Sequence, residues 1–202
     1  MGTIERPRSR RRDLVSVLCA AAVAFTARAS LADHYVVPSG SMEPTVAVAD
    51  RILVNKLAYG LRVPDTHIYL ARFGEVARGD VVVLASPQGG TVLLKRVVAV
   101  AGDRVQVRSG ELEINGAPIA MSRHGGTLYE VLGATPHPVS LDHGGGPDFG
   151  PALVPHGHAL VMGDNRGNSH DGRAFGFVDE SAILGRAVGV FLHGGSFAWT
   201  PL

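Results

Sequence analysis

Two serines separated by one glycine lie between two prolines in the segment PSGSMEPT, Pro38 to Thr45. Proline fixes its own φ and biases the residue before it towards extended backbone, while Gly40 can reach φ values closed to other residues. The backbone at Ser41 is therefore tightly directed, and the Ser39 hydroxyl can aim at the same point as the Ser41 backbone N–H. This pattern is typical of a Pro/Gly/Ser turn, and it also suits a nucleophilic serine at a strand end.

A serine nucleophile needs a general base, and histidine is the usual one. The run Ser169-His170-Asp171 holds the three residue types of a triad, and the motif G-x-S-x-G does not occur. Members of a triad normally converge from separate segments, whereas these three are neighbours in the chain. This run is therefore a poor match to a catalytic triad.

Lys95 is the second candidate base, in the run TVLLKRVVAV from Thr91 to Val100. Strand periodicity places it on one face with Leu93, Val97 and Ala99, and both faces are otherwise apolar. An ordinary lysine, with a pKa near 10.4, is protonated at neutral pH, so burial must lower the pKa by about three units to make it a base. Alternatively, the side-chain stem packs while the ammonium reaches water.

A third polar element is the loop GDNRGNSHDGR, Gly163 to Arg173. Its side chains can orient other groups by hydrogen bonds and by an ion pair between Asp171 and Arg173. The same composition is typical of a solvated surface loop, so the loop alone does not decide between these interpretations.

Taken in order, these segments resemble the bacterial type I signal peptidases, which use a Ser-Lys dyad. The resemblance rests on PSGSMEPT after an apolar segment, KRVVAVAGDRV, INGAPI after a hairpin, and GDNRGNSHDGR. It implies a serine endopeptidase that removes signal peptides from exported preproteins after small residues of the A-x-A type, with Ser41 as nucleophile and Lys95 as general base.

The resemblance also implies roles for the surrounding residues. The Ser39 hydroxyl and the Ser41 N–H would form the oxyanion hole, and Ser169 would orient the lysine. The other supporting residues are the Asp171–Arg173 pair, Asp164 and Arg96, and small substrate pockets would be lined by Val37, Met42 and Leu94. Two positions depart from the family pattern: Gly167 replaces an acidic residue and Gly172 replaces a common serine.

The N-terminus is basic and then apolar. Five arginines lie between Arg6 and Arg12, and no charge follows from Leu14 until Arg28. As a helix, Leu14 to Ala32 is about 28 Å long, close to a bilayer core of about 30 Å. We predict a cytoplasmic segment over 1–12, a single transmembrane anchor over 13–32 and an extracytoplasmic body at the bacterial inner membrane. A signal cleaved after Ala27-Arg28-Ala29 is the alternative for the same residues.

The body is predicted to be mostly β. Eight short strand-like runs alternate with turns such as SPQGG, NGAP and HGGG, and one helical turn is expected at DESAIL with Asp179 as its cap. We expect antiparallel sheets in a sandwich or partly open barrel. The catalytic core would comprise 33–107 and 156–202, with a small inserted β subdomain or loop over 108–155.

The remaining composition excludes several function classes. The chain has 19 Lys and Arg against 18 Asp and Glu, so its net charge does not indicate a nucleic-acid partner. The sequence contains no glycine-rich phosphate-binding motif, and it has no basic and aromatic patch that would bind nucleic acid. The spacings of His137, His143, His156 and His158 match no zinc pattern, so we expect no metal and no cofactor. The expected partners of this monomer are preproteins and the lipid bilayer. A Ser-Lys autoprotease of the repressor type and a non-catalytic anchored β-domain that binds exported chains remain alternatives.

Overall fold

The computed structural model describes residues 13–18, 32–62, 69–133 and 135–202, and most of them belong to antiparallel β-sheets. The largest sheet has eight strands. In spatial order they are β1 (Ala32–Val36), β2 (Arg51–Asn55), β16 (Ile183–His193), β5 (Val81–Ala85), β6 (Val92–Val100), β14 (His158–Met162) and β15 (Val178–Asp179), with β17 (Ser196–Pro201) paired to β16.

Three smaller sheets complete the described β-structure. The first comprises β10 (Met121–His124), β11 (Thr127–Val131) and β12 (Pro136–Val139). The second is ordered β13 (Phe149–Leu153), β7 (Arg104–Arg108), β8 (Glu111–Ile114) and β9 (Ala117–Pro118), and the third pairs β3 (Gly60–Arg62) with β4 (Tyr69–Arg72). The prediction of a mostly β fold with antiparallel sheets is confirmed, whereas the division at residues 108 and 155 stays a prediction.

The central strands of the large sheet are apolar on both faces because both faces are covered. In β5, Val81 and Val83 pack in one buried cluster with Met42, while Val82 and Leu84 pack in another. A third cluster joins the end of β6 and β14 to the sheet that contains β7 and β8. These cores hold β6 rigidly in the middle of the molecule.

Strand β6 departs from regular alternation after Val97. Its pairing register with β14 shifts between Leu160 and Val161, where β6 has one additional residue. As a result Val100 packs in the same cluster as Val97, and Ala99 packs in the neighbouring one. The prediction that Ala99 shares the face of Leu93 and Val97 is therefore wrong, because a bulge reverses the side-chain alternation beyond it.

All eight predicted strand runs form strands, and the predicted helical turn is also confirmed. It is a 3-10 helix over Glu180–Ala182, and the Asp179 carboxylate accepts a hydrogen bond of 2.6 Å from the Ser181 N–H. Two further 3-10 turns, Gly40–Met42 and Arg166–Asn168, and one short α-helix, Gly172–Phe175, carry residues of the predicted site.

The predicted anchor over 13–32 lies mostly outside the described residues. Residues 13–18 are helical, and the leucine and valine side chains there are exposed. Among the described residues, no helix is long and apolar enough to cross a membrane.

Candidate active site

The segment that contains Ser39 and Ser41 includes one 3-10 turn, and backbone hydrogen bonds join the chain before this turn to the chain after it. After β1, the Val37 N–H donates to Asp50 O at 2.9 Å, and the Ala49 N–H donates to Val37 O at 2.8 Å. Met42 is fully buried in the core directly after Ser41. The chain therefore closes into a narrow loop, which holds Ser41 in one orientation at the end of a strand.

Ser41 and Lys95 meet in this position. The Lys95 Nζ lies 2.7 Å from Ser41 Oγ, and only 9% of Ser41 and 3% of Lys95 is exposed. The Ser39 hydroxyl, which is more exposed, lies 3.4 Å from the same Ser41 oxygen. A serine oxygen with an amine on one side and a hydroxyl on the other has the contacts that a nucleophile, its base and an oxyanion donor require.

The surroundings of Lys95 favour its neutral form. The pKa of the Lys95 amine is lowered from 10.5 to about 8, mainly by burial; the charges of Asp171 and Asp164 act in the opposite direction, and the Arg173 charge adds a smaller lowering effect. The lowering of the lysine pKa by burial is thus larger than the opposing effect of the nearby carboxylates. An amine with such a pKa is partly neutral near neutral pH and can accept a proton from Ser41.

Arg96, the next residue, is paired on the other side of β6. Its guanidinium makes a bidentate ion pair with Asp164, with Nε–Oδ1 and Nη2–Oδ2 distances of 2.9 and 2.7 Å. Burial would raise the pKa of the Asp164 carboxyl, but the Arg96 charge and a hydrogen bond from the Thr45 hydroxyl hold the pKa below its usual value. Asp164 is therefore ionised, and its charge acts on the nearby Lys95.

The loop from Gly163 to Arg173 closes over the same site. The Asn165 N–H donates to Ser41 O at 3.1 Å, and its side-chain amide donates to Gly40 O at 3.2 Å. Asp171 accepts two bonds of 2.8 Å from the Arg173 guanidinium and one of 3.0 Å from the Gly163 N–H. The loop thus supports both the nucleophile turn and the charges around Lys95.

Ser169 lies within this loop. Its hydroxyl oxygen is buried, and no described residue makes a hydrogen bond to it. It nevertheless lies close enough to Asp171 to help lower the pKa of that carboxyl, whose ion pair with Arg173 outweighs the opposing effect of burial. The structure therefore places Ser169 at the site without a bond to Lys95.

The two glycines that depart from the family pattern are tightly enclosed. A Cβ on Gly167 would lie 2.1 Å from His143 O, and one on Gly172 would lie 2.7 Å from Leu160 Cδ1 and 2.8 Å from Val161 O. These approaches leave no room for a side chain. At both positions the loop backbone is packed directly against its neighbours.

An apolar cavity of about 120 Å³ lies beside the start of the nucleophile loop. Val37 and Leu94 line it, together with Tyr35, Pro38, Val83 and others. Met42, the third predicted substrate-binding residue, is fully buried next to Val37 in the core.

The rejected triad is not assembled. His170 is exposed and its Nε2 faces Gln88 Oε1 at 3.1 Å, while the Asp171 carboxylate is occupied by Arg173. Within the described ranges, no group of three or more His, Cys, Asp or Glu side chains could hold a metal ion.

Two residues at the site were missed from the sequence. Thr45 bonds to Asp164, and Glu130 forms a buried ion pair with Arg166. Thr45 is the last residue of the segment PSGSMEPT, but its residue type and position do not indicate a carboxylate partner. Glu130 is the one charged residue in the strand-like run TLYEVL, and a carboxylate in an apolar run indicates a buried partner.

Comparison with known proteins identifies the family to which the chain belongs. The family described as signal peptidase, peptidase S26, matches residues 10–192. The chain is 37% identical over 194 residues to signal peptidase I of Pseudomonas fluorescens, covering 84% of this chain and 68% of the relative. Identity to signal peptidase I of Pseudomonas aeruginosa is 34% with the same coverage, and to that of Bacillus amyloliquefaciens 33%, covering 87% and 82%.

Among solved structures, a signal peptidase I from Enterococcus faecalis shares 28% identity with a TM-score of 0.42, covering 56% of this chain and 97% of that chain. The family match and the sequence relatives define a serine peptidase, which is a hydrolase. More particularly, the chain belongs to the signal peptidase I family.

Proposed function

We propose that this chain removes signal peptides from exported preproteins by a Ser41–Lys95 dyad. The observation that carries this proposal is the 2.7 Å contact between Lys95 Nζ and Ser41 Oγ at a buried position where the lysine pKa is lowered to about 8. The names of the relatives, all signal peptidases I, supply the substrate class.

The reaction then proceeds in two halves. Neutral Lys95 takes the Ser41 hydroxyl proton as Oγ attacks the scissile carbonyl, and the Ser41 N–H and Ser39 hydroxyl stabilise the resulting oxyanion. The Lys95 ammonium protonates the leaving amine as the C–N bond breaks, which leaves an acyl-enzyme. Lys95 next takes a proton from water as the water oxygen attacks the ester carbonyl, and the C–Oγ bond then breaks as the proton returns to Ser41 Oγ, which releases the acyl fragment as a carboxylic acid.

Specificity for small residues follows from the 120 Å³ cavity beside the nucleophile loop. Val37 and Leu94 would contact the small side chains before the cleaved bond, and Met42 would form the floor behind them. The substrate segment would lie extended along β1 and the start of β6, adding backbone hydrogen bonds to strand edges.

We also propose that residues 13–32 anchor the enzyme in the inner membrane, with the body outside the cytoplasm. Val36 and Val92 line the cavity and are 53% and 46% exposed, so the substrate entrance is apolar. An apolar entrance suits an enzyme whose substrates leave the bilayer as extended chains.

The direct test is incubation of the purified protein with a synthetic preprotein and identification of the cleaved bond by mass spectrometry. We expect cleavage after the small residue, loss of cleavage in Ser41→Ala and wild-type cleavage in Ser122→Ala, which changes an exposed serine far along the chain. Cleavage only of the enzyme's own chain would favour an autoprotease. Preprotein binding without cleavage, unchanged in Ser41→Ala, would favour the non-catalytic β-domain.

A further inference from the structure

A buried ion pair connects the small sheet β10–β12 to the loop that supports the dyad. Glu130, in β11, and the Arg166 side chain are both completely buried. Arg166 Nη1 lies 3.1 Å from Glu130 Oε1, and Nη2 bonds to Oε2. Burial would raise the pKa of the Glu130 carboxyl, but the Arg166 charge holds the pKa below its usual value, so the pair is ionised.

Arg166 also makes the hydrogen bonds that hold the loop from Gly163 to Arg173 in place. Its Nε donates to Gly163 O at 3.2 Å, and its backbone O accepts a bond of 2.6 Å from Arg173 Nη2. Its backbone N–H donates to Ser140 O at 3.0 Å, which ties the loop to the end of β12. One guanidinium and its peptide groups thus hold both ends of the loop.

The neighbours of Arg166 make the contacts with the catalytic pair. Asn165 donates to Ser41 O, and Arg173 pairs with Asp171, whose charge acts on Lys95. The path from Glu130 to Ser41 therefore runs through one ion pair and one peptide bond before it reaches the nucleophile turn. Glu130 itself touches neither Ser41 nor Lys95 in the described structure.

We propose that Glu130 is a positioning residue for the Ser41–Lys95 dyad, and that the sheet β10–β12 completes the active site by supplying this carboxylate. The inference rests on the proposed function, because it assigns a role in that same reaction. A carboxylate that orients Arg166 keeps Asn165 bonded to Ser41 O, and so holds the turn at Ser41 against the buried Lys95 amine. Catalysis is sensitive to such support, since a displacement of about 1 Å can cost on the order of a hundredfold in rate.

The test compares Glu130→Gln with a matched control, Asp103→Asn. Asp103 is also a buried carboxylate that pairs with an arginine, Arg78, and its hydrogen bonds reach Val100 and Asn115 rather than the dyad. Both variants are assayed on the synthetic preprotein across pH, with the folded fraction followed by circular dichroism. Wild-type cleavage that depends on Ser41 establishes the proposed function independently in the same assay.

For Glu130→Gln we expect kcat to fall about tenfold to a hundredfold with KM within about twofold. The rising limb of kcat/KM should also move to higher pH, because water that reaches Lys95 relieves its desolvation while Asp171, Asp164 and Arg173 still face it. In Asp103→Asn, kcat and the position of the limb should stay at wild-type values. A folded Glu130→Gln with wild-type kcat and pH profile overturns the proposal, and so does an equal effect in both variants.

If Glu130→Gln does not fold, the cause is the unpaired buried charge of Arg166. The double variant Glu130→Leu/Arg166→Met removes both charges and is then the one to assay. We expect it to fold and to show the same loss in kcat, because the ion pair and the guanidinium hydrogen bonds that hold the loop in place are absent. A wild-type kcat in the folded double variant would mean that the Glu130–Arg166 pair contributes only to the stability of the fold, and it would overturn the proposal.

Discussion

Two consecutive residues of β6, Lys95 and Arg96, bury a basic side chain on opposite sides of the strand. Their exposure is nearly equal, 3% and 4%. Arg96 has a carboxylate in bidentate contact, whereas the nearest polar partner of Lys95 is a neutral hydroxyl. One strand therefore holds a permanent cation and a titratable amine side by side.

The difference shows what turns a buried cation into a base. Burial favours the neutral form of both side chains, but arginine does not lose its proton at accessible pH and must be paired. Lysine can give up its proton, so desolvation without a direct carboxylate contact lowers the pKa to about 8. The Arg96–Asp164 pair gives rigidity, and in the proposed mechanism the Lys95–Ser41 contact gives reactivity.

The largest expected effect is on activity, from removing the titratable amine. Lys95→Met and Lys95→Arg should each lower the rate of preprotein cleavage by about 10²–10⁴-fold or more, because neither side chain can accept the Ser41 proton. Single-turnover kinetics measure this loss, and circular dichroism checks the fold. A wild-type rate in Lys95→Arg would exclude the dyad.

The next effect is on stability, and it should separate the two cations. Arg96→Met leaves the fully buried Asp164 without its partner and should lower the free energy of unfolding by about 3–5 kcal/mol. Lys95→Met leaves no carboxylate in direct contact unpaired and should be neutral or stabilising. Urea unfolding of the two variants measures the contrast, and equal losses would mean that Lys95 also acts as an ion-pair partner.

The third prediction concerns pH. Because the proposed mechanism requires neutral Lys95, cleavage should rise with pH and reach half of its maximum near the lysine pKa of about 8. Between that pKa and the ordinary value of 10.5, the unfolded chain binds more protons than the folded one, so Lys95 adds stability as pH rises through this window.

The matched comparison for this pH effect is Lys95→Met. Its stability relative to the wild type should decrease steadily as pH is raised through the same window, because only the wild type gains from deprotonation. Unfolding curves at several pH values measure the difference. A difference that does not change with pH would mean that the pKa of Lys95 is not lowered in the folded protein.

The smallest expected effect concerns the second donor to Asp164. Thr45→Val removes the hydroxyl that bonds to this carboxylate and should cost about 1.5–3 kcal/mol, less than Arg96→Met. Thr91→Val, at an exposed position, is the control and should change the unfolding free energy little. A loss in Thr45→Val as large as that in Arg96→Met would contradict the ranking of the two partners.

The sequence by itself determined eight of the seventeen described strands, the candidate serine and lysine, and the ion pair of Asp171 with Arg173. These follow from local rules: apolar periodicity specifies strands, Pro and Gly direct the turn at Ser41, and a lysine in an apolar run must be desolvated, paired or exposed. The run TVLLKRVVAV does not show whether Lys95 is desolvated, paired or exposed, because desolvation depends on the residues that pack over the strand.

Only the tertiary structure decided which groups meet. The bulge in β6 reverses alternation at Ala99, and nothing in the local pattern marks it because both faces are apolar. The pairing of Glu130 with Arg166, and of Thr45 with Asp164, joins residues far apart in the chain through the packing of sheets. Such contacts depend on long-range register and on the exclusion of water, which no single segment of sequence specifies.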